Sequence, residues 1–513
     1  MKRIVNIAMC LCLTLSATAQ NFKSGSLFYN VIKGKNVEVT LESNDPTKNY
    51  ATLTTIDIPS TVEANGTKYT VVAIGERAFS GCQTLSTITI PQTLTSIASS
   101  AFDGCNGVKT VIWNATKFPM KKGAESPLHD FKSTLTNISF GKDVTEIPDY
   151  LCAELIVLNN VEINNKISTI GEGAFSDCRA LENVTIGNNV RIIDKEAFRG
   201  CTNLKTIQIS QNVATIGKNA FDGCSSLTNV IWEAQSLKVK KDVDAPFYSV
   251  RKQIESVKFG SKVKMVPQYF FYEMERIKSV TLSNNITTVS EHAFENCKNL
   301  KEVVLGTDIK TIDDFAFRGC SDLETINLDK VSNIGESAFE NCQKLTDVTF
   351  AGKIKEISKN AFKNCAALQN IVLSDATQTI SEGAFDGCKA LAKITIPQGI
   401  TSISPLAFAN CTALQTIEWN AVKFKDIKKD VDAPFGQVAS HITSITFGEL
   451  VTRIPAQLCI NFTQLTTLSL PATVVSIGAG AFRGCTALAE VTFANESTLI
   501  EDGAFESTTE IKR

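Results

Sequence analysis

A phrase of about 23 residues recurs from about residue 70 onward, and it constrains the fold more than any other feature. Its clearest copy runs Leu85-x-x-Ile88-x-Ile90-Pro91, then Leu94-x-x-Ile97, then Ala101-Phe102-x-Gly104-Cys105. Self-similarity at a fixed period of this size is typical of solenoids, in which each repeat forms one turn of a continuous coil. The 513 residues are therefore counted in turns rather than in ordinary domains.

Each part of the phrase predicts a different local structure. Ile88 and Ile90 alternate with threonines, which is the period of a strand with one buried face, and Pro91 ends that strand. Leu94 to Ile97 predicts a shorter extended segment, and Ala-Phe-x-Gly-Cys fits a single helical or 3₁₀ turn that places a Phe inside. The expected fold is a repeat solenoid, mainly β, with short 3₁₀ turns.

The Ala-Phe pair marks thirteen regular repeats, with Phe at positions 79, 102, 175, 198, 221, 294, 317, 339, 362, 385, 408, 482 and 505. Three longer gaps each hold two degenerate repeats. Their predicted markers are Leu128 and Leu151, Phe247 and Phe270, and Phe435 and Leu458. The total is about nineteen turns of about 23 residues.

The three gaps are related irregular modules, at about residues 108–158 (module 1), 227–277 (module 2) and 414–465 (module 3). Trp113, Trp232 and Trp419 open them, each at the repeat position that Ile90 occupies. The segment from Lys240 to Phe247 is matched letter for letter by Lys428 to Phe435, and Lys121 to Leu128 is a looser copy. Each module thus carries a loop of extra residues.

Two interpretations of the modules remain open. In the first, Trp fills a wider core and the loop is simply solvated; in the second, the loops are binding sites, because departures from a regular solenoid often carry contacts. The candidate partner-binding residues are Lys240, Lys241, Asp242, Asp244, Lys428, Lys429, Asp430 and Asp432, with the aromatic group Tyr269, Phe271 and Tyr272. Asp242 and Asp244 lack the Gly and distal Glu of a calcium loop, so no metal site is predicted.

The cysteines follow the repeat rather than a disulfide framework. Of sixteen, two lie in the first twelve residues, and twelve of the other fourteen stand three residues after the repeat Phe. Equivalent Cβ atoms on stacked strands lie about 4.8 Å apart, which exceeds the usual span of a disulfide of about 3.5–4.5 Å. A ladder of buried free thiols is expected, and the spacing offers no close pair for a metal.

The ends of the chain are expected to differ from the repeat. Residues 1–19 have the basic start, short apolar run and Ala17-Thr18-Ala19 site of a secretory signal peptide. Residues 20–70 contain strand-like pieces without the repeat and are assigned to an N-terminal cap, with the solenoid over 71–513. No later segment predicts a membrane span. Beyond the signal peptide there are 49 basic and 53 acidic side chains, so the net charge is slightly negative. This net charge indicates neither nucleic acid nor an anionic membrane as a partner.

The phrase Leu-x-x-Ile-x-Ile-Pro-x-x-Leu-x-x-Ile-x-x-x-Ala-Phe-x-Gly-Cys resembles the BspA-type leucine-rich repeat family of surface proteins from Bacteroides-like bacteria. The resemblance covers about 440 residues. It implies a right-handed leucine-rich repeat superhelix, secreted or on the cell surface with the periplasm as an alternative, that binds a protein partner in the host extracellular matrix or on another cell.

The sequence offers no recognisable catalytic motif. The three histidines, His129, His292 and His441, sit in no pattern with Ser, Cys or Asp, and none of the common hydrolase, metalloprotease or phosphate-loop motifs occurs. The expected protein is a non-enzymatic adhesion or interaction scaffold without a cofactor. Two alternatives stay open: a glycan-binding surface protein, and a structural spacer without a specific ligand.

Overall fold

The chain winds into a β-solenoid of about 18 turns of about 23 residues, which confirms the predicted fold with one turn fewer than the sequence count. The computed structural model describes residues 21–41, 50–120, 126–505 and 510–512. The predicted signal peptide lies outside the described residues, as do Lys121 and Lys122 of module 1.

The strands are numbered in chain order. The first twenty are β1 (Asn21–Ser24), β2 (Leu27–Lys33), β3 (Asn36–Thr40), β4 (Thr55–Asp57), β5 (Thr61–Ala64), β6 (Thr67–Ile74), β7 (Thr87–Ile90), β8 (Ser96–Ile97), β9 (Thr110–Trp113), β10 (Asn137–Phe140), β11 (Glu146–Ile147), β12 (Asn160–Glu162), β13 (Thr169–Ile170), β14 (Asn183–Thr185), β15 (Ile192–Ile193), β16 (Thr206–Ile209), β17 (Thr215–Ile216), β18 (Asn229–Trp232), β19 (Ser256–Phe259) and β20 (Met265–Val266).

The remaining strands are β21 (Ser279–Thr281), β22 (Thr288–Val289), β23 (Glu302–Val304), β24 (Thr311–Ile312), β25 (Thr325–Ile326), β26 (Asn333–Ile334), β27 (Asp347–Thr349), β28 (Glu356–Ile357), β29 (Asn370–Val372), β30 (Thr379–Ile380), β31 (Lys393–Ile396), β32 (Ser402–Ile403), β33 (Thr416–Trp419), β34 (Ser444–Phe447), β35 (Arg453–Ile454), β36 (Thr467–Leu470), β37 (Ser476–Ile477), β38 (Glu490–Phe493), β39 (Leu499–Ile500) and β40 (Glu510–Lys512). In the described parts of the modules there are five 3₁₀ helices: η1 (His129–Phe131), η2 (Asp242–Asp244), η3 (Tyr248–Val250), η4 (Asp430–Asp432) and η5 (Ala439–His441).

A mixed sheet covers the N-terminal end of the coil. Its order is β1-β2-β3-β6-β5, with β8 also paired to β6. Inside it Tyr29, Val37, Val39 and Val71 are fully buried. β4 already pairs in parallel with β7, so the long-strand ladder begins within the segment assigned to the cap. The sheet therefore shields the first hydrophobic turn from solvent, as a solenoid end requires.

Each regular turn has a longer strand, a two-residue strand and a tight turn, and each part pairs with its copy in the next turn. Ile88 lies opposite Val111 in the long ladder, and Ile147 opposite Ile170 in the short ladder. In the tight turns, the N–H of Phe79 donates to the carbonyl of Ala101 at 2.8 Å. Each turn thus contributes one layer to a single continuous core.

The repeat Phe and Cys form two buried ladders. Phe339 lies between Phe317 and Phe362, with ring centroids 5.3 and 5.2 Å away and nearly parallel planes. Three residues after each repeat Phe stands the Cys of the second ladder. The thiol of Cys320 donates to the carbonyl of Phe294 at 3.1 Å, and burial raises the pKa of the Cys297 thiol to about 12. All fourteen cysteines in the described residues are buried and free, which confirms the predicted thiol ladder.

The short-strand ladder is interrupted at every module. β8 and β11, β17 and β20, and β32 and β35 each flank one turn in which the described residues form no short strand. In regular turns the residue after the short strand donates its N–H to the preceding turn, as Gly171 does to Ile147 at 3.0 Å. After each interruption that residue is a proline: Pro148, Pro267 and Pro455. Because proline has no N–H, no donor is left unpaired where the preceding strand is missing.

The short ladder also breaks between β26 and β28, outside the modules, although these two strands lie in successive turns. There the hydroxyl of Ser358 donates to the carbonyl of Ile334 at 2.6 Å, in place of a backbone N–H. A proline after the short strand is therefore found at the module interruptions, where the preceding turn contributes a loop rather than a short strand.

The register predicted for the second turn of each module is wrong by one residue. The N–H groups of Cys152, Phe271 and Cys459 donate to Ala174, Ala293 and Ala481, so these three residues occupy the Phe position. The predicted markers Leu151, Phe270 and Leu458 instead occupy the Ala position. Within the described residues, no helix has the length and apolar character needed to cross a membrane.

Candidate interaction surface

The three tryptophans belong to the core. Each is fully buried and lies opposite the expected Ile, as Trp113 does opposite Ile90. The ring of Trp232 contacts Phe270 edge-on with centroids 4.7 Å apart. The indole Nε1 of all three finds no hydrogen-bond partner in the described structure. Trp therefore fills the wider turn, and any contact with a partner must come from the loops beside it.

Two loops with the same eight-residue sequence allow a direct comparison. The module 2 loop (residues 236–244) ends in η2, and the module 3 loop (residues 423–432) ends in η4. Lys240 and Lys241 are exposed, as are Lys428 and Lys429. The two loops differ before the shared segment, where module 3 has Lys423 and Phe424 in place of Ser236 and Leu237 and one extra residue, Asp426.

The module 3 loop is fastened to later turns. Asp426 accepts a hydrogen bond from the N–H of Ala456 at 2.8 Å and one from Arg453 at 2.9 Å. Burial opposes ionisation of Asp426, but these two donors hold the pKa of its carboxyl below the usual value. Asp430 forms a further ion pair with Arg483. We call these contacts the module 3 clasp.

Module 2 has no such clasp. Met265 stands at the place of Arg453 in the equivalent short strand, and Glu295 stands at the place of Arg483 after the repeat Phe. Lys240, Lys241, Asp242 and Asp244 form no ion pair with any described residue, and the two lysines and Asp244 are exposed. The charged groups of this loop are therefore available to a partner.

An aromatic stack lies on the surface beside the module 2 loop. The rings of Tyr269, His292 and Phe315 are nearly parallel, with centroids 4.6 and 4.9 Å apart in successive turns. Tyr272 contacts Tyr269 edge-on at 5.9 Å, and all four side chains are half-buried. Burial, followed by the carboxylate of Glu273, raises the pKa of Tyr272 to about 12, so its hydroxyl remains a hydrogen-bond donor at neutral pH.

Sequence reasoning identified Tyr269 and Tyr272 but missed His292 and Phe315. All three stacked residues stand two positions before the Phe position, and all three have a left-handed backbone, with φ between 56° and 57°. That position carries Asn219 and Asn360 in other turns. Aromatic residues at one repeat position in three successive turns were a usable signal, but only in the corrected register.

Phe271 was predicted to contact a partner, and that prediction is wrong. Its side chain is fully buried and stacks on Phe294 with centroids 4.3 Å apart. It occupies the Phe position of the ladder, which points into the core. The surface aromatic group therefore consists of Tyr269 and Tyr272 together with His292 and Phe315.

Charged groups hold the stack in place. His292 Nδ1 lies 2.5 Å from Glu295 Oε2, and its Nε2 lies 3.1 Å from Glu291 Oε1. The guanidinium of Arg318 pairs with Glu295 and lies 4.7 Å from the ring centroid of Phe315. Burial opposes ionisation of Glu295, but hydrogen bonds from His292 and Arg318 lower the pKa of its carboxyl. The rings are thus fixed before any partner arrives.

Metal chemistry finds no site in the parts of the chain that the structure describes. No group of three or more His, Cys, Asp or Glu side chains is placed there to hold a metal ion. The geometry of the surface supports contacts with another molecule through aromatic edges, hydroxyl groups and unpaired charges.

The family model described as the BspA type leucine rich repeat region matches in six copies, over residues 48–122, 129–243, 241–369, 355–459 and 432–513. The chain belongs to this family. BspA-type repeats typically form non-enzymatic scaffolds, and leucine-rich repeat proteins commonly bind proteins. None of the curated proteins matches the chain.

Several solved structures are similar to this BspA-type chain. A leucine-rich repeat protein from Bacteroides ovatus shares 22% identity, with 96% of this chain and 99% of that chain covered and a TM-score of 0.39. A leucine rich cell surface protein from Faecalibacterium prausnitzii shares 25% identity over 79% and 96%, with a TM-score of 0.32. The pneumococcal vaccine antigen PcpA shares 20% identity over 84% and 99%, with a TM-score of 0.33.

Proposed function

We propose that this protein is an exported or cell-surface repeat scaffold that binds a protein partner, without catalysis, through the surface of module 2. The partner belongs to the host extracellular matrix or to another cell. The observation that carries the proposal is the contrast between two loops that share an eight-residue segment. The module 3 loop is clasped by Arg453 and Arg483, whereas the charged side chains of the module 2 loop form no ion pair with a described residue and lie beside a half-buried aromatic stack.

Tyrosine and arginine anchors dominate the affinity of many protein interfaces, and the module 2 surface offers both types. Tyr269 and Tyr272 contact each other, and Arg318 packs on Phe315 of the same stack. Because the stack is already fixed by Glu295, little side-chain entropy is lost on binding. These features favour a protein partner over a spacer with no ligand.

A glycan is the second candidate, but the ring geometry disfavours it. Sugars stack on the open faces of aromatic rings, whereas here the inner faces cover one another at 4.6 and 4.9 Å. The outer face of Phe315 is covered by Arg318. The stack therefore presents mainly ring edges and the Tyr hydroxyls to solvent.

Binding of the whole protein to immobilised extracellular-matrix proteins and to a glycan array tests the proposal. We expect saturable binding to at least one protein and to no glycan. Tyr269→Asn and Phe315→Asn remove two rings while keeping a residue type that occupies this left-handed position in other turns. Together they are expected to weaken binding at least about tenfold, as loss of interface anchors commonly does.

Matched controls come from module 3. Gln457→Asn changes the same left-handed position, and Lys428→Glu with Lys429→Glu reverses the same charges that Lys240→Glu with Lys241→Glu reverse in module 2. The module 3 variants are expected to bind like the unchanged protein. Equal losses from both modules, or no saturable protein binding at all, would refute the proposed site or the proposed function respectively.

A further inference from the structure

A groove of 580 Å³ lies between β17 and the module 2 loop. One wall is the short strand itself, and the other is the loop. Lys218 follows the strand on one side, and Leu237, Lys238, Lys240 and Asp244 line the other side. β17 and β20 stand two turns apart, a distance of about 10 Å at the usual strand spacing, with no short strand between them.

The strand wall of this groove carries free hydrogen-bond acceptors. In the turn before, the carbonyl of Arg191 accepts from the N–H of Ala214 at 2.9 Å, and that of Ile193 from Gly217 at 2.7 Å. The equivalent carbonyls of β17 are those of Ala214 and Ile216, and neither accepts a hydrogen bond from any described residue. An edge of this kind is a template for an added strand.

The opposite sides of the groove are basic. Lys218, Lys238 and Lys240 are exposed and form no ion pair with any residue that the structure describes, and a single carboxylate, that of Asp244, faces them. At the same places module 3 has Pro405 instead of Lys218, Lys423 instead of Ser236, and the additional carboxylate of Asp426, which pairs with Arg453. In module 2 the three lysines thus meet around an open strand edge, without an acidic residue at the place of Asp426.

We infer that the module 2 groove binds an extended acidic peptide segment, which adds as a strand to the carbonyl edge of β17. The peptide N–H groups donate to Ala214 and Ile216, and its carboxylates pair with the three lysines. Leu237, which packs against the core, lines the floor between them. The inference rests on the proposed function and names the chemistry of the segment that the partner offers.

The test uses the whole protein and a fluorescent seven-residue peptide of alternating Glu and Val. We expect saturable binding, and none for the peptide in which Lys replaces Glu. Lys238→Glu with Lys240→Glu is expected to weaken binding at least about tenfold, since both charge pairs become repulsive. The matched pair Lys425→Glu with Lys428→Glu, in module 3, is expected to change it less than about twofold. No binding, or equal losses in both modules, overturns the inference.

Peptides with alternate N-methyl groups separate strand addition from attraction by charge alone. In an added strand only every second N–H faces the edge. Methylation of one alternate set should therefore abolish binding, while methylation of the other set should leave it. Equal effects of the two sets overturn the strand geometry. Absent peptide binding with intact partner binding refutes only this inference, and peptide binding without any protein partner refutes only the proposed function.

Discussion

Ser381→Pro tests the role assigned to the prolines at the interruptions of the short ladder. Ser381 follows β30 in a regular turn, and its N–H donates to the carbonyl of Ile357 at 2.9 Å. Pro148, Pro267 and Pro455 occupy the same repeat position, so the backbone there accepts a pyrrolidine ring. The φ angle there suits proline, but the ring Cδ points where the N–H did, at the carbonyl of Ile357, so the substitution removes one hydrogen bond and pushes the two turns apart.

The expected loss follows from that hydrogen bond. Leaving the buried carbonyl of Ile357 without a donor costs about 1–3 kcal/mol, and the stiffer unfolded chain returns about 0.4–1 kcal/mol. The lost hydrogen bond alone thus costs roughly 1–2 kcal/mol net, which shifts the opening equilibrium about 5- to 30-fold, and the displacement of the two turns adds to that loss. Ser381→Ala is the baseline, because the Ser381 hydroxyl also donates to Glu356 at 2.7 Å and both variants lose that contact.

Hydrogen exchange measured by mass spectrometry suits this prediction, since a long solenoid opens locally rather than in one step. Amides in the turns around β28, β30 and β32 should exchange faster in Ser381→Pro than in Ser381→Ala. Pro267→Ala loses no hydrogen bond, so its effect should stay below about 1 kcal/mol. Exchange in Ser381→Pro that equals the Ser381→Ala baseline would refute the reasoning, as would a larger effect of Pro267→Ala.

Three further predictions follow from the core and the stack. Because all fourteen cysteines of the described residues are buried, a thiol reagent at pH 8 should label none of the ladder cysteines until the protein is unfolded. Burial also raises the pKa of the Cys297 thiol to about 12, and rapid labelling in the folded state would contradict the burial of the ladder. The folded pKa of Glu295 lies below its ordinary value of 4.5, so the contacts of its carboxylate with His292 and Arg318 stabilise the turn above pH 4.5 and are lost as the pH falls through the folded pKa. Hydrogen exchange of the amides around Phe294 should rise in that pH range. Glu295→Gln should abolish this pH dependence. Phe339→Ala should destabilise its turn by about 3–5 kcal/mol, with Ser337→Ala as a local control, and protection of the flanking turns that does not change would argue against the stacked ladder.

The repeat phrase predicted the solenoid, the ladders and the buried Trp positions, because in each regular turn the inward-facing residues can be identified from their spacing alone. It failed in the second turn of each module, where a large residue such as Phe270 takes the Ala position and Cys152 takes the Phe position. That error of one residue hid the aromatic stack. The clasp was out of reach for a different reason: Asp426 and Arg453 meet only because successive turns lie side by side.

The thiol ladder makes folding compete with oxidation of the cysteines. In the folded chain each ladder thiol is buried and bound to a carbonyl, so an oxidant has no access. In the unfolded chain the same thiols can form disulfides with one another in many combinations, and each such disulfide would be non-native. A protein that matures in an oxidising compartment must therefore complete its turns before its thiols react, and each closed turn removes one more thiol from the reaction.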